Sequence, residues 1–132
     1  MVRNRSVPAE TVLPHITYQN VAEALAWLAA AFGFTEYYRY GEQDGRVSGA
    51  QMHLGGAWIM LNSARAGSAS PAQIGCQTQS LTVFVDDVDA HFERAKTAGA
   101  RIVEDLEGHR WLFSKHVRDV SPGEWGAAIA DR

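Results

Sequence analysis

The sequence predicts an α+β protein built from two βαβββ repeats, the second of which is short of one strand. Two amphipathic helices with similar caps and lengths lie about 66 residues apart, which indicates an internal repeat. Segments that alternate between apolar and polar residues surround both helices and are typical of strands. With 132 residues the chain suits a single domain, 1–132, in which both repeats share one core.

The first repeat is predicted to span about residues 11–62. Residues 11–19 alternate in polarity and predict a strand, which Pro14 favours at a sheet edge. Asn20 is expected to cap a helix that ends at Gly33, because the apolar residues between them recur at three- and four-residue spacing. Glycine-containing turns separate three further predicted strands, at residues 34–40, 46–54 and 57–62.

The second repeat is predicted to span about residues 77–118, after a linker at 63–76. A strand at 79–85 leads to a helix that Asp87 caps and Gly99 ends. Strands are then expected at 101–104 and after the turn at 105–111.

Both ends of the chain differ in pattern from the repeats. Residues 1–10 show no periodicity and are predicted to form a loose arm. The tail 119–132 is predicted to contain a short helix that Ser121 caps and in which Pro122 takes the first position. We expect Trp125 in this helix to pack back on the body of the protein.

The second repeat is shorter than the first at one place. Phe34 and Trp58 are 24 positions apart, whereas Arg101 and Arg110 are only nine apart. A strand is therefore predicted to be absent after Val103 or Glu104. Either it has been lost from this chain, or the sequence omits a mobile loop, which would lie at the rim of a cavity.

Composition argues against several kinds of partner. The net charge is −3 and no basic stripe is present, so nucleic acid is not expected to bind. The longest apolar run, 24–34, is shorter than the roughly 20 residues of a membrane span. The single cysteine, Cys76, cannot form an internal disulfide and is expected to be an inert, half-buried thiol. Because no signal-peptide pattern opens the chain either, a cytoplasmic location is predicted.

Five segments carry a resemblance to a known family. The sequences Ala-Leu-Ala-Trp at 24–27 and Ala-Phe-Gly-Phe at 31–34 resemble its first helix and the stop that follows. Val-Phe-Val-Asp-Asp-Val-Asp-Ala at 83–90, followed by Ala-Gly-Ala at 98–100, is similar to its second-half signature. With the turn at 105–111, these segments resemble the vicinal oxygen chelate superfamily of glyoxalases, bleomycin resistance proteins and extradiol dioxygenases.

That resemblance implies the glyoxalase-like fold, in which curled mixed sheets surround a cavity that holds a small organic molecule. It also implies a homodimer, since many members assemble in pairs. Catalytic members place His, Gln or Glu around one divalent metal, and the corresponding positions here fall near Leu13, Met60, Ser80 and Leu112. These side chains are poor ligands for such an ion, so no metal cofactor is expected.

The residues expected to line the ligand cavity follow from strand alternation and from the resemblance. They are His15, Thr17, Trp58, Met60, Ser80, Thr82, Phe84 and Leu112. His15 is the candidate for orienting a ligand oxygen or acting as a base near neutral pH, the alternative being a buried histidine bonded to the backbone. Another alternative is that these side chains fill a solid core.

The remaining histidines are assigned structural roles. His91 is expected on the solvated face of its helix, and His109 in a hydrogen bond that stabilises its loop. No catalytic group is identified.

The predicted function is therefore metal-independent binding of a small, partly apolar molecule between the repeats. One alternative is a metal-dependent lyase or dioxygenase of the same fold, which needs two further ligands beside His15. The other is a non-catalytic dimerisation module with a filled core.

Overall fold

The computed structural model describes residues 4–8, 12–100 and 104–130. Six strands, three α-helices and one 3-10 helix follow one another in these parts of the chain. In order they are β1 (His15–Tyr18), α1 (Val21–Phe32), β2 (Thr35–Tyr40), β3 (Gly49–Leu54), β4 (Ala57–Ser63), α2 (Pro71–Ile74), β5 (Ser80–Phe84), α3 (Val88–Thr97), β6 (Arg110–Ser114) and the 3-10 helix Pro122–Trp125.

The first repeat forms a four-stranded mixed sheet in the order β1-β4-β3-β2. Strand β1 runs parallel to β4, and the other neighbours are antiparallel. As Pro14 predicted, β1 lies at the edge of this sheet. The strand begins at His15, later than expected, because Pro14 has no N–H to donate to the ladder.

Helix α1 covers one face of this sheet and has the predicted ends. The Asn20 side chain accepts a hydrogen bond from the Glu23 amide, and Gly33 ends the helix in the left-handed region with φ of 83°. Its buried side of Val21, Ala24, Leu25, Leu28, Ala31 and Phe32 belongs to the same core as Ile16, Tyr18, Ile59 and Leu61 of the sheet.

The second repeat contributes a smaller sheet. Strands β5 and β6 pair in parallel and are connected through α3, which the Asp87 side chain caps. The strand predicted at 101–104 lies mostly outside the described residues, and Glu104 forms only an isolated bridge with Arg110. The described residues of this half thus form two strands against four in the first.

The two halves pack through their helices and through aromatic side chains. Trp111 of β6 packs edge-on against both Phe32 and Phe34, with ring centroids 5.5 Å apart in each pair. The Arg94 guanidinium of α3 donates hydrogen bonds of 2.9 Å to the carbonyls of Ala29 and Ala30. The bond to Ala30 gives a carbonyl of the last turn of α1 a partner outside the helix, whereas the Ala29 carbonyl also accepts from the Gly33 amide.

Three local predictions are wrong. The linker contains helix α2, since Ser70 and Gln73 form a capping box and Pro71 occupies the first turn. The predicted short helix in the tail is a 3-10 helix, but none of its residues is buried and Trp125 is 70% exposed. Cys76 is exposed rather than half-buried, because it directly follows the turn that ends α2.

In the part of the chain that the structure describes, no helix is long and apolar enough to cross a bilayer.

Candidate functional site

The face of the first sheet opposite α1 carries the candidate site, and we call it the trough face. Residues opposite each other in register point to the same side of a sheet. His15 and Gln51 both pair with Met60, and Tyr38 pairs with Gln51, so these four share the trough face. By the same strand pairing, five further residues lie on the trough face: Thr17, Tyr40, His53, Trp58 and Asn62.

His15 is exposed at the β1 edge of the trough face. Its Nδ1 lies 3.0 Å from Nδ2 of Asn62. Since the amide nitrogen can only donate, Nδ1 accepts and the ring proton of neutral His15 resides on Nε2. The hydrogen bond between Nδ1 and Asn62 leaves Nε2 as the free donor of the ring within the described residues.

Aromatic rings cluster on the trough face near the β3–β4 turn. Trp58 stacks on His53 with ring centroids 4.5 Å apart, and Tyr37 meets it edge-on at 5.6 Å. A bulge between Glu36 and Tyr38 leaves Tyr37 as an extra residue in β2. The bulge brings the Tyr37 and Tyr38 rings within 5.6 Å of each other, although neighbours in a regular strand point to opposite faces.

The N-terminal arm lies against the trough face and is not loose in its described part. The Tyr37 hydroxyl donates to the Arg5 carbonyl at 2.8 Å. The Tyr38 hydroxyl and the Gln51 amide both donate to the Ser6 carbonyl, at 3.2 and 3.4 Å. Residues 4–8 therefore cover the middle of the trough face, where Gln51 and Met60 are buried.

A cavity of about 300 Å³ adjoins β1. His15 and Thr17 line it together with His109 and residues of the 67–79 stretch. Two of the predicted ligand-binding residues thus share a cavity, whose other wall is the linker between the repeats.

The other predicted residues, on the second sheet, lie apart from the trough face. Ser80, Thr82, Phe84 and Leu112 share the outer face of β5 and β6, and each is exposed. Phe84, which is 53% exposed, stacks on His116 with ring centroids 3.8 Å apart. The eight predicted residues therefore form two sets of four, one on each sheet.

Sequence reasoning missed Tyr37, Tyr38 and Gln51 as members of the site. Alternation alone assigns Tyr37 and Tyr38 to opposite faces, and only the bulge overrides it. Asn62, in contrast, follows the same alternation as Trp58 and Met60 and could have been included.

A larger, mostly apolar cavity of about 590 Å³ lies between α3 and β6. Its lining includes Phe32, Phe92, Trp111 and Phe113. The ring of His91 also lines it, 3.9 Å from the Phe113 ring, and His91 Nε2 is 3.0 Å from the Phe32 carbonyl oxygen. The predicted solvated position of His91 is therefore wrong.

The same contacts shift the titration of His91. Burial lowers the pKa of its imidazole, and Arg94 lowers it further, while the hydrogen bond to the Phe32 carbonyl opposes both. The net result is a pKa below its usual value, so His91 is neutral at pH 7.

A buried carboxylate, Asp105, joins the two repeats. Its Oδ2 accepts from the Tyr18 hydroxyl at 2.6 Å and from the Trp111 indole at 3.1 Å. Its Oδ1 lies 3.0 Å from three nitrogens, the amides of Glu107 and His109 and the His109 ring. The other ring nitrogen of His109 lies 2.7 Å from the Thr17 carbonyl oxygen, which confirms the predicted loop-stabilising role of His109.

These contacts determine the charge of the cluster. Burial raises the pKa of Asp105, but His109 and the hydrogen bonds from Tyr18 and Trp111 outweigh it and lower the pKa. Burial, followed by the charge of Asp105, raises the pKa of Tyr18 well above its usual value. Asp105 is thus ionised and Tyr18 neutral at pH 7, and the cluster holds the fold together rather than offering a reactive group.

The positions implied for a divalent metal do not fit one. The Met60 sulfur is within contact distance of the Tyr38 hydroxyl and the Gln51 amide, at 3.6 and 3.3 Å, and Ser80 and Leu112 lie on the other sheet. Among residues 4–8, 12–100 and 104–130, no three His, Cys, Asp or Glu side chains cluster as a metal site would need. Thioether, hydroxyl and alkyl groups do not replace the hydration shell of a hard divalent ion.

Comparison with known proteins identifies relatives of this chain. Residues 11–123 match the family model described as Glyoxalase/Bleomycin resistance protein/Dioxygenase superfamily. The uncharacterized protein Rv0887c of Mycobacterium tuberculosis H37Rv is 30% identical over an alignment of 139 positions that takes in 90% of this chain and 82% of its own length. The uncharacterized protein Mb0911c of Mycobacterium bovis has the same identity, and the match spans 91% of its length.

The alignments are longer than the part of this chain that they cover. They run over 139 positions but take in 90% of a 132-residue chain, or about 119 residues. About 20 positions of the relatives therefore have no counterpart here.

Solved structures share the fold. TioX from Micromonospora sp. ML1 superposes with a TM-score of 0.64 at 27% identity, over 85% of this chain and all of its own. The fosfomycin resistance protein FosX from Listeria monocytogenes superposes with a TM-score of 0.63 at 15% identity, over 92% of this chain and all of its own. FosX has also been solved with Mn(II) and 1S,2S-dihydroxypropylphosphonic acid.

Proposed function

Because the chain belongs to the Glyoxalase/Bleomycin resistance protein/Dioxygenase superfamily, we propose that it binds a small, partly apolar molecule on its trough face without a metal ion. The observation that carries the proposal is the composition of that face. Trp58 and the tyrosines of β2 give this face several aromatic rings, and His15, Thr17 and Asn62 give it polar groups. Small-molecule sites in proteins have this composition.

The rings of Trp58 and Tyr37 supply the apolar contact. Their edge-on arrangement presents one flat ring and one ring edge, which suits a ligand with an aromatic or aliphatic body. His15 supplies polarity through Nε2, and its bond to Asn62 fixes the orientation of the ring. The ligand is thus expected to carry an oxygen at one end of an apolar body.

Independence from a metal is part of the same proposal. It rests on the donor chemistry at Met60, Ser80 and Leu112, none of which offers a carboxylate or imidazole. His15 alone gives a single ligand, fewer than the three of a typical open metal site.

We further propose that the chain acts as a homodimer in the cytoplasm. Phe84 and Leu112 on the outer face of the second sheet are exposed. A second copy would remove this apolar area from water. The exposed thiol of Cys76 is compatible with a reducing compartment.

A binding screen tests the proposal. The purified chain is titrated with small aromatic and aliphatic molecules that carry a polar group, and affinities are measured by calorimetry. Trp58→Ala is expected to weaken binding by about tenfold or more, since aromatic anchors commonly contribute about 2 kcal/mol to an interface. Trp125→Ala is the matched control, because Trp125 lies exposed in the tail. Equal binding by both variants would contradict the assignment of the trough face.

Thermal shifts in the presence of Mn, Ni, Fe and Zn ions separate the proposal from the enzyme alternative. We expect no stabilisation by any of them. A stabilisation of several degrees that His15→Ala abolishes would overturn metal independence and favour a lyase or dioxygenase. A chain that binds no small molecule and no ion would favour the dimerisation module.

A further inference from the structure

We propose that Tyr37, Tyr38 and Gln51 form an amide-binding subsite on the trough face, and that residues 4–8 of the chain occupy it as a built-in competitor. The inference deepens the proposed function, on which it rests, by naming the ligand's polar group. The class of ligand it predicts is a small molecule with an amide next to an apolar body.

Three side-chain donors meet the backbone of the arm at two neighbouring carbonyls. The Tyr37 hydroxyl bonds the Arg5 carbonyl, while the Tyr38 hydroxyl and the Gln51 amide nitrogen bond the Ser6 carbonyl. None of these bonds involves a side chain of the arm. The donors therefore recognise peptide carbonyl oxygens as such, and a carbonyl of another molecule satisfies the same geometry.

Gln51 carries an independent sign of a ligand. Its side chain is completely buried, and its Oε1 has no hydrogen-bond partner among the described residues. A buried acceptor without a partner is unfavourable and uncommon in proteins. A primary amide ligand would correct this, because its carbonyl accepts from Gln51 Nε2 while its syn N–H donates to Oε1.

The two tyrosines are in the right state to donate. Burial, followed by the neighbouring Tyr40 and Tyr37, raises the pKa of Tyr38, so its phenol keeps its proton at neutral pH. The β2 bulge places the Tyr37 hydroxyl next to it. Two adjacent phenols and one carboxamide form a set that selects neutral carbonyl groups and offers no charge to an anion.

The arm is bound weakly enough for a ligand to displace it. Residues 4–6 are exposed, and Val7 is 45% exposed, so little apolar area holds the arm in place. Three neutral hydrogen bonds must offset the conformational entropy that five residues lose when the arm is ordered. The net stabilisation by one hydrogen bond is on average smaller than the free-energy cost of ordering one residue, so the three bonds hold the arm weakly. A turn in which the Ser6 amide donates to the Asn4 side chain shapes the arm and reduces that cost.

The test uses N-acetyl-phenylalaninamide as the amide probe and 3-phenylpropionic acid methyl ester as an apolar control that lacks N–H groups. Binding to the full chain is measured by calorimetry, and the backbone amide signals of Ser6 and Val7 are followed by NMR. The amide probe is expected to bind about tenfold more tightly than the ester and to shift both signals towards random-coil positions.

Three variants separate the subsite from the competitor. Tyr38→Phe removes one donor and is expected to weaken probe binding about fivefold, whereas Trp125→Ala, in the exposed tail, leaves it unchanged. Asn4→Ala removes the hydrogen bond that shapes the arm, so the arm is displaced from the subsite in a larger fraction of the molecules. Probe binding is therefore expected to tighten about threefold. Opposite effects of Tyr38→Phe and Asn4→Ala are the signature of the proposal.

Each of the other possible results would contradict one part of the proposal. If the ester binds as well as the amide and Trp58→Ala weakens both, the proposed function stands and the amide subsite is wrong. If the probe binds while the Ser6 and Val7 signals stay in place, residues 4–8 do not compete. If neither molecule binds to the wild type or to Asn4→Ala, both the subsite and the proposed function fail.

Discussion

Replacing Asp105 by asparagine tests whether the buried carboxylate joins the two repeats. Asparagine keeps the size of the side chain but replaces one oxygen with an N–H donor. Three nitrogens converge on Oδ1, so the remaining oxygen is expected to stay there and the new NH₂ group to face Tyr18 and Trp111. The Tyr18 hydroxyl can turn to accept, but the Trp111 indole can only donate and loses its partner.

The size of the effect follows from these contacts. A buried donor left without an acceptor costs about 1–3 kcal/mol, and hydrogen bonds to a charged group are stronger than neutral ones by about 1 kcal/mol. We therefore expect the Asp105→Asn variant to lose about 2–4 kcal/mol of unfolding free energy at pH 7. Urea denaturation followed by circular dichroism measures it, with Asp119→Asn at an exposed position as control.

The pH dependence gives a second readout. Because the pKa of Asp105 is lowered in the folded protein, its contribution is present above the unfolded pKa of about 4 and is lost as the pH falls below it. The wild type is expected to lose stability in this acidic range more steeply than the variant. A loss of less than about 1 kcal/mol at pH 7, or identical acid profiles, would refute the assigned role of Asp105.

Two further predictions concern helix α3. The pKa of His91 is lowered by burial, so its contribution to stability is present above about pH 6.5 and is lost as the pH falls through the lower folded value. As the pH is lowered from 7.5 to 5, the urea midpoint of the wild type should fall, and that of His91→Gln should stay level. Arg94→Ala removes two hydrogen bonds to the end of α1 and should lower the unfolding free energy by about 1 kcal/mol. Lys96→Ala, an exposed change on the same helix, is the control for Arg94→Ala in the same urea titration. Equal midpoints for these two alanine variants would show that the Arg94 bonds contribute nothing.

The sequence predicts the fold well where local chemistry decides it. Helix α1 begins after Asn20 and ends before Gly33 as expected, because a capping side chain and a left-handed glycine are signals within the chain. Helix α2 escaped prediction since its stretch is dominated by glycine, serine and alanine, although Ser70 and Gln73 carry a capping signal. The exposure of Trp125 depends on tertiary packing and has no local signal.

The candidate site is predictable only in part. Alternation assigns His15, Thr17, Trp58 and Met60 to one face because strand periodicity is regular there. The bulge at Tyr37 breaks that regularity, and the return of residues 5 and 6 onto the sheet is a contact over more than 30 positions. Neither feature has a signature in the order of the residues.

The turn at Asp105 also has a consequence for the order in which the chain folds. The hydrogen bonds of Asp105 and Glu107 reach residues 18–20, across 87 or 88 positions of sequence. Contacts of such long range form slowly, because the intervening loop must close first. A two-stranded sheet such as β5–β6 has little stability of its own. We therefore expect the first repeat to fold before the second packs on it, which is also the order in which synthesis from the N-terminus supplies them.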